Sequence, residues 1–158
     1  MPANLVMAVC SLSLSSRLII RYGIKPPLVV GLALAAAGLL LLSWAPANGE
    51  FLPDVLPGML LLGLGAGMAF NPVLVAAMND VSASESGLAS GIVNTSFMMG
   101  GALGLAFISS LAAYQREQLA QGGLSSLEAL SGGYAMAFLA GAVLALAASL
   151  TGAVLLRK

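Results

Sequence analysis

Residues Leu61–Ala106 read LLGLGAGMAFNPVLVAAMNDVSASESGLASGIVNTSFMMGGALGLA. Two apolar segments flank one short polar turn, Asn79–Ser86. Glycines recur in both segments as G-x-x-x-G pairs: Gly63 with Gly67, Gly87 with Gly91, and Gly100 with Gly104. On a helix that spacing places two missing side chains on one face, so a neighbouring helix can approach backbone to backbone. The main polar side chains inside the segments are Asn71, beside Pro72, and Asn94-Thr95-Ser96. Polar groups in lipid are costly unless they face protein or a cavity. The stretch is therefore expected to be a helical hairpin inside a membrane bundle, with its few polar groups turned inward.

Composition extends that reading to the whole chain. It has 158 residues, 59% hydrophobic and 8% charged, with mean hydropathy +1.01. Soluble domains carry roughly 25% charged residues. The formal net charge is zero, which gives no reason to expect a nucleic-acid partner. Cys10 is the single cysteine, so no internal disulfide forms. Histidine is absent, which excludes Ser-His and Cys-His catalysis and removes the commonest metal ligand. The expectation is a non-enzyme without metal or cofactor.

The all-α class follows from five apolar runs. The first, 3–15, is about 13 residues, roughly 20 Å of helix against a bilayer core of roughly 30 Å. No Lys or Arg precedes Arg17, so a basic signal-peptide start is missing. The expectation is a chain that begins partway through a helix. Full spans are expected at 28–44, 56–78, 87–111 and 134–156. Pro26-Pro27 separates the basic turn from the first of these, and Trp44 ends it at an interface. Residues 112–133 form the longest connection. Its AAYQREQLAQ part can continue as helix to Gly122-Gly123, and Ser125-Ser126-Leu127-Glu128 fits a capping box for one or two further turns.

Alternating sides places Arg17, Arg21, Lys25, Arg157 and Lys158 on one face of the membrane and Arg116 on the other. Cytoplasmic loops carry the excess of Lys and Arg. The basic turn, the Asn79–Ser86 turn and the C-terminus are thus expected to be cytoplasmic.

Asn71-Pro72 lies mid-span. Proline removes a backbone donor from the helix ladder, here the one opposite the Met68 carbonyl. The pair is either a tolerated kink or a kink beside a translocation cavity. Gly87, Gly91, Asn94, Met98 and Gly101 share one helix face. Asn94 and Met98 are candidates for a substrate path, although methionine also fills core gaps. The glycine pairs serve either fixed packing or helices that slide. No span after residue 28 contains Asp, Glu, Lys, Arg or His. Ion-coupled membrane machines usually need an intramembrane ionisable group, so a coupling carboxylate is expected outside this chain.

Three stretches resemble the C-terminal part of a major facilitator superfamily transporter, within the drug:proton antiporters of the fourteen-helix type. Ser16–Lys25 (SRLIIRYGIK) is similar to the cytoplasmic motif G-x-L-x-D-R-x-G-R-K, with Arg21, Gly23 and Lys25 matching and Arg17 adding charge. Ser16, Ile20 and Ile24 replace the motif's Gly, Asp and following Arg. Gly63–Val73 (GLGAGMAFNPV) looks like the family's glycine-rich helix ending in Pro. Ser86–Ala106 looks like A-G-x-A-S-G-x-x-N-T-x-R-Q-x-G-G-A-L-G-x-A, with Phe97 and Met98 where relatives often carry a polar pair.

The resemblance implies an efflux transporter of amphipathic small molecules in a bacterial plasma membrane. It also implies a missing N-terminal half as partner, rocking about a midplane site. The competing expectation is a structural or accessory membrane module without transport of its own.

Overall fold

The computed structural model describes residues 23–46, 49–79, 81–82 and 84–155. The partial helix expected at 3–15, Arg17 and Arg21 of the basic turn, and the terminal Arg157 and Lys158 lie outside the described residues.

Among the described residues four α-helices carry the fold: α1 Lys25–Ser43, α2 Leu56–Met78, α3 Ser86–Gln121 and α4 Ser126–Leu155. Each is long and apolar enough to cross a membrane. No strand occurs among the described residues. Proline in the first turn opens α1, where its missing N–H costs nothing. At the other end, the Trp44 backbone N–H donates to the Leu41 carbonyl at 3.2 Å. A single π-helical turn, Phe51–Val55, leads directly into α2. The Asp54 carboxylate accepts the Glu50 backbone N–H there at 2.9 Å.

At 1.5 Å per residue, α1 and α2 span roughly 28 and 35 Å, close to the bilayer core, whereas α3 and α4 reach roughly 54 and 45 Å. Both long helices run beyond the expected apolar spans. α3 continues past Leu111 to Gln121, ending at Gly122 as the AAYQREQLAQ stretch allows, since Leu105–Gln121 contains neither Gly nor Pro. α4 begins at Ser126 and passes without a break through Gly132-Gly133 into the span expected from Tyr134. The two glycines sit against α3. A Cβ on Gly133 would lie 2.8 Å from the Ala112 carbonyl oxygen and 3.3 Å from Arg116 Cβ. The connection is thus only the turn at 122–125, closed by the capping box. The Ser125 backbone N–H and hydroxyl donate to Glu128 Oε2 at 3.0 and 2.7 Å, and the Glu128 N–H donates to Ser125 Oγ at 3.3 Å.

In space the order is α2, α1, α4, α3, with α1 clasped between α2 and α4. The core is built from small side chains: Ala35, Ala36, Ala69, Ala129 and Ala142 are buried, with Leu28 and Leu42. Between helices in lipid, close van der Waals contact replaces the hydrophobic drive, and small residues maximise it.

Candidate functional site

The closest helix approach lies between α1 and α2. A Cβ on Gly31 would lie 2.8 Å from both the Ala69 nitrogen and the Gly65 oxygen. One on Gly38 would lie 2.6 Å from the Leu62 nitrogen and 2.7 Å from the Gly58 oxygen. Gly65 meets the Ala35 backbone more tightly still, and a Cβ on Gly58 would lie 2.7 Å from Leu42 Cγ. The contact positions are 31, 35, 38 and 42 on α1, and 58, 62, 65 and 69 on α2. Both follow steps of four, three and four, the 3.5-residue repeat of antiparallel helices that stay in register. Pro72 takes the next step on α2 and is fully buried. Its register puts Pro72 on the same face of α2 as the seam.

Gly63 and Gly67 are also buried, but helical rotation of roughly 100° per residue sets them on the far side of α2 from this seam. Asn71 is half-buried. Gly23 takes φ +84°, a left-handed conformation that favours glycine, two residues ahead of Lys25 in the first turn of α1.

The N-terminal half of α3 is arranged otherwise. No residue of α3 is buried, and Phe97, Met98 and Leu103 are 60%, 66% and 68% exposed. Gly87, Gly91, Gly100 and Gly104 have no heavy atom within 4 Å of a built Cβ. Their bare strips therefore have no partner helix among the described residues. A ring contact ties this half to α2: Phe97 meets Phe70 edge to face, centroids 6.0 Å apart at 85°. The exposed Asn94 amide directs one N–H to the Met98 sulfur at 3.9 Å. Gly87, Leu88, Gly91, Ile92, Thr95 and Ser96 line a shallow, open groove of about 410 Å³. Asn94 and Met98 thus share an open apolar face of α3, while Asn71 stands on α2 and Pro72 lies on its seam face.

Sequence reasoning missed the residues of tightest approach, Gly31, Gly38, Gly58 and Gly65. Their signal was a seven-residue glycine spacing on each helix, filled by Ala35 on α1, in place of G-x-x-x-G. It also missed the tie between α1 and α4, where the Ser149 hydroxyl donates to the Val29 carbonyl at 3.1 Å. No group of three or more His, Cys, Asp or Glu gathers among the described residues. The chemistry on offer is shape, apolar contact and a few amides, which suits binding and passage.

The Major Facilitator Superfamily pattern matches residues 1–105. The chain is 34% identical over 113 residues to the puromycin resistance protein pur8 of Streptomyces alboniger, covering 70% of this chain and 22% of that protein. It is 32% identical over 113 residues to the multidrug resistance protein Stp of Mycobacterium tuberculosis, covering 72% and 20%. It is 31% identical over 108 residues to the quinolone resistance protein NorB of Staphylococcus aureus, covering 65% and 22%. The chain therefore spans about a fifth of the length of these relatives. No solved structure matches it. Helices built to cross a bilayer and joined by small-residue seams now stand beside a match across residues 1–105, and the chain belongs to the major facilitator superfamily of membrane transporters.

Proposed function

We propose that this chain is the C-terminal portion of a proton-coupled efflux transporter for amphipathic small molecules in a bacterial plasma membrane. The observation that carries the reading is the set of relatives, named for puromycin, multidrug and quinolone resistance, which align with 65–72% of this chain. The open face of α3 supports it physically. Met98 and Phe97 offer an adaptable apolar surface, and Asn94 adds a hydrogen-bonding group beside them. In the assembled transporter this face, with Asn71, borders the substrate path, and the remaining helices cover it. Proton coupling calls for an ionisable group within the membrane. The apolar spans 28–44, 56–78, 87–111 and 134–156 supply none, so the coupling carboxylate is proposed to lie outside this chain.

Efflux measured per inserted protein in the complete transporter tests the reading. Asn94→Leu is expected to lower efflux of polar-tipped drugs several-fold while insertion is kept. Proton-driven efflux from vesicles holding only these 158 residues would overturn the assignment as a portion. The C-terminus is proposed to be cytoplasmic, on the Lys/Arg asymmetry. With Cys10→Ala as background, Glu50→Cys should label from outside and Ser84→Cys should not. The reverse pattern inverts the topology.

A further inference from the structure

Where the C-terminal half of α3 meets the start of α4, the two helices border an open cleft of about 250 Å³, with the exposed Ser109, Arg116 and Tyr134 among its lining residues. On α3 the lining falls at positions 109, 112, 113 and 116, one stripe of the helix. On α4 it falls at 130, 133 and 134, where Gly133 lets the Arg116 stem lie against the α4 backbone.

Three polar groups line the cleft and none has a hydrogen-bond or ion-pair partner among the described residues: the Ser109 hydroxyl, the Arg116 guanidinium and the Tyr134 hydroxyl. The Ser109 hydroxyl contrasts with that of its neighbour. Ser110 donates to the Ala106 carbonyl at 2.8 Å, as serines in apolar helices usually do. The two carboxylates of the hairpin are engaged elsewhere. Glu117 accepts from the Gln121 amide at 3.4 Å, and Glu128 accepts from Ser125 at 2.7 Å. Among the described residues Arg116 is thus a cation without an acid.

The depth of the cleft is marked by aromatic rings. Trp44 lines a cavity with Gln115 and Gly132, the neighbours of Arg116 and Gly133. Tyr134 lines another with Ala45 and Pro46. Trp44 and Tyr134 are 79% and 57% exposed. Such amphipathic rings settle at the headgroup level of a bilayer. The geometry points to a binding site for the phosphate group of an anionic lipid headgroup, held by the planar Arg116 fork with the Tyr134 and Ser109 hydroxyls donating to remaining oxygens. Guanidinium geometry matches phosphate oxygens pairwise, and zwitterionic lipid adds an ammonium that the cleft has no carboxylate to meet.

Trp44 is the only tryptophan in the chain and serves as the reporter. The full chain is reconstituted with phosphatidylglycerol or phosphatidylcholine brominated on the acyl chains, and quenching of Trp44 is compared at equal mole fraction. Phosphatidylglycerol is expected to occupy the site several-fold more strongly. Arg116→Gln should bring the ratio to about one, and Tyr134→Phe should lower it by a smaller factor. Lys25→Gln, at the far end of α1, should leave it unchanged. Added inorganic phosphate separates the sources. No effect at millimolar concentration identifies the lipid as ligand, and Arg116-dependent relief of quenching identifies free phosphate in the same site. A preference that survives both Arg116→Gln and Tyr134→Phe, or no preference in the parent chain, overturns the site.

Discussion

The Ser149 hydroxyl of α4 donates to the backbone carbonyl of Val29 in α1 across 3.1 Å, joining positions 120 residues apart in the chain. Ser149 is buried at 6% exposure. It lies three residues before Gly152, which makes room for Leu28 of α1. The bond fixes the register in which α4 lies on α1. Interhelical hydrogen bonds in membrane proteins average about 0.6 kcal/mol. Ser149→Ala is therefore expected to destabilise the reconstituted chain by about that much, read as a shift in unfolding midpoint. Ser149→Leu should cost more, because it adds volume to a closed contact. Equal stability of parent, Ala and Leu variants would remove the register argument.

The α1–α2 seam makes a sharper prediction. Gly38 faces backbone atoms of Leu62 and Gly58, which cannot rotate away. Gly38→Leu is expected to cost about 1–3 kcal/mol or more through overpacking. The change should appear as a lower midpoint in denaturant. Gly91→Ala, which meets nothing within 4 Å, is the internal control and should leave the isolated chain unchanged.

The contrast between these glycines explains what could be read from sequence. Hydropathy and the absence of charge set out the four spanning helices, and 56–78 matches α2 at both ends. Periodicity also identified faces of bare backbone. It did not identify which helix covers each face. The G-x-x-x-G strips of α3 lie open, while the seam uses glycines seven residues apart, Gly31 with Gly38 and Gly58 with Gly65. Two faces with similar patterns differ only through tertiary partners far away in the chain. The start of α4 differs from expectation for a related reason. Glycine within a helix costs about 1 kcal/mol relative to alanine. Gly132-Gly133 should weaken a continuous helix, but close contact with Ala112 and Arg116 offsets that cost. The capping box, by contrast, is a local device, and Ser125 and Glu128 form it as their spacing suggests.

The cap gives a pH prediction. It sits in the polar turn ahead of the apolar part of α4. The Ser125 hydroxyl, and then its backbone N–H, hold the Glu128 carboxyl below the ordinary carboxylate value. A depressed folded-state value means the ionised form stabilises the cap. That contribution is complete above the ordinary value and is lost as pH falls through the depressed one. At neutral pH, Ser125→Ala is expected to raise amide hydrogen exchange in the first turn of α4 several-fold, as N-cap loss frays a helix. The difference from the parent chain should narrow under acid conditions that protonate Glu128. A difference of constant size across that range would show that the carboxylate contributes nothing to the cap.

Gly100 and Gly104 carry the prediction that separates the isolated chain from the assembled transporter. Neither meets any heavy atom within 4 Å of a built Cβ, and Met99 and Leu103 beside them are 59% and 68% exposed. In the isolated chain, then, Gly100→Leu has nothing to strike, and its unfolding midpoint should equal or exceed that of the parent, since leucine is the better helix former. In the assembled transporter proposed above, the same strip is proposed to meet a neighbouring helix at backbone distance. A leucine there must push that helix away or strain the contact, at a cost of about 1–3 kcal/mol. That is comparable to the gaps of a few kcal/mol between conformers that ligands exploit. Gly100→Leu should therefore slow or block alternating access in the complete protein while leaving membrane insertion intact, because leucine favours insertion. Leu103→Ala, turned to a different side of α3, should reduce efflux less. The readout is efflux rate per inserted protein for both variants, beside the stability of the isolated chain carrying each. Normal efflux by Gly100→Leu would place the strip against lipid or a roomy cavity, and the close-packing role of the second glycine pair of α3 would be lost.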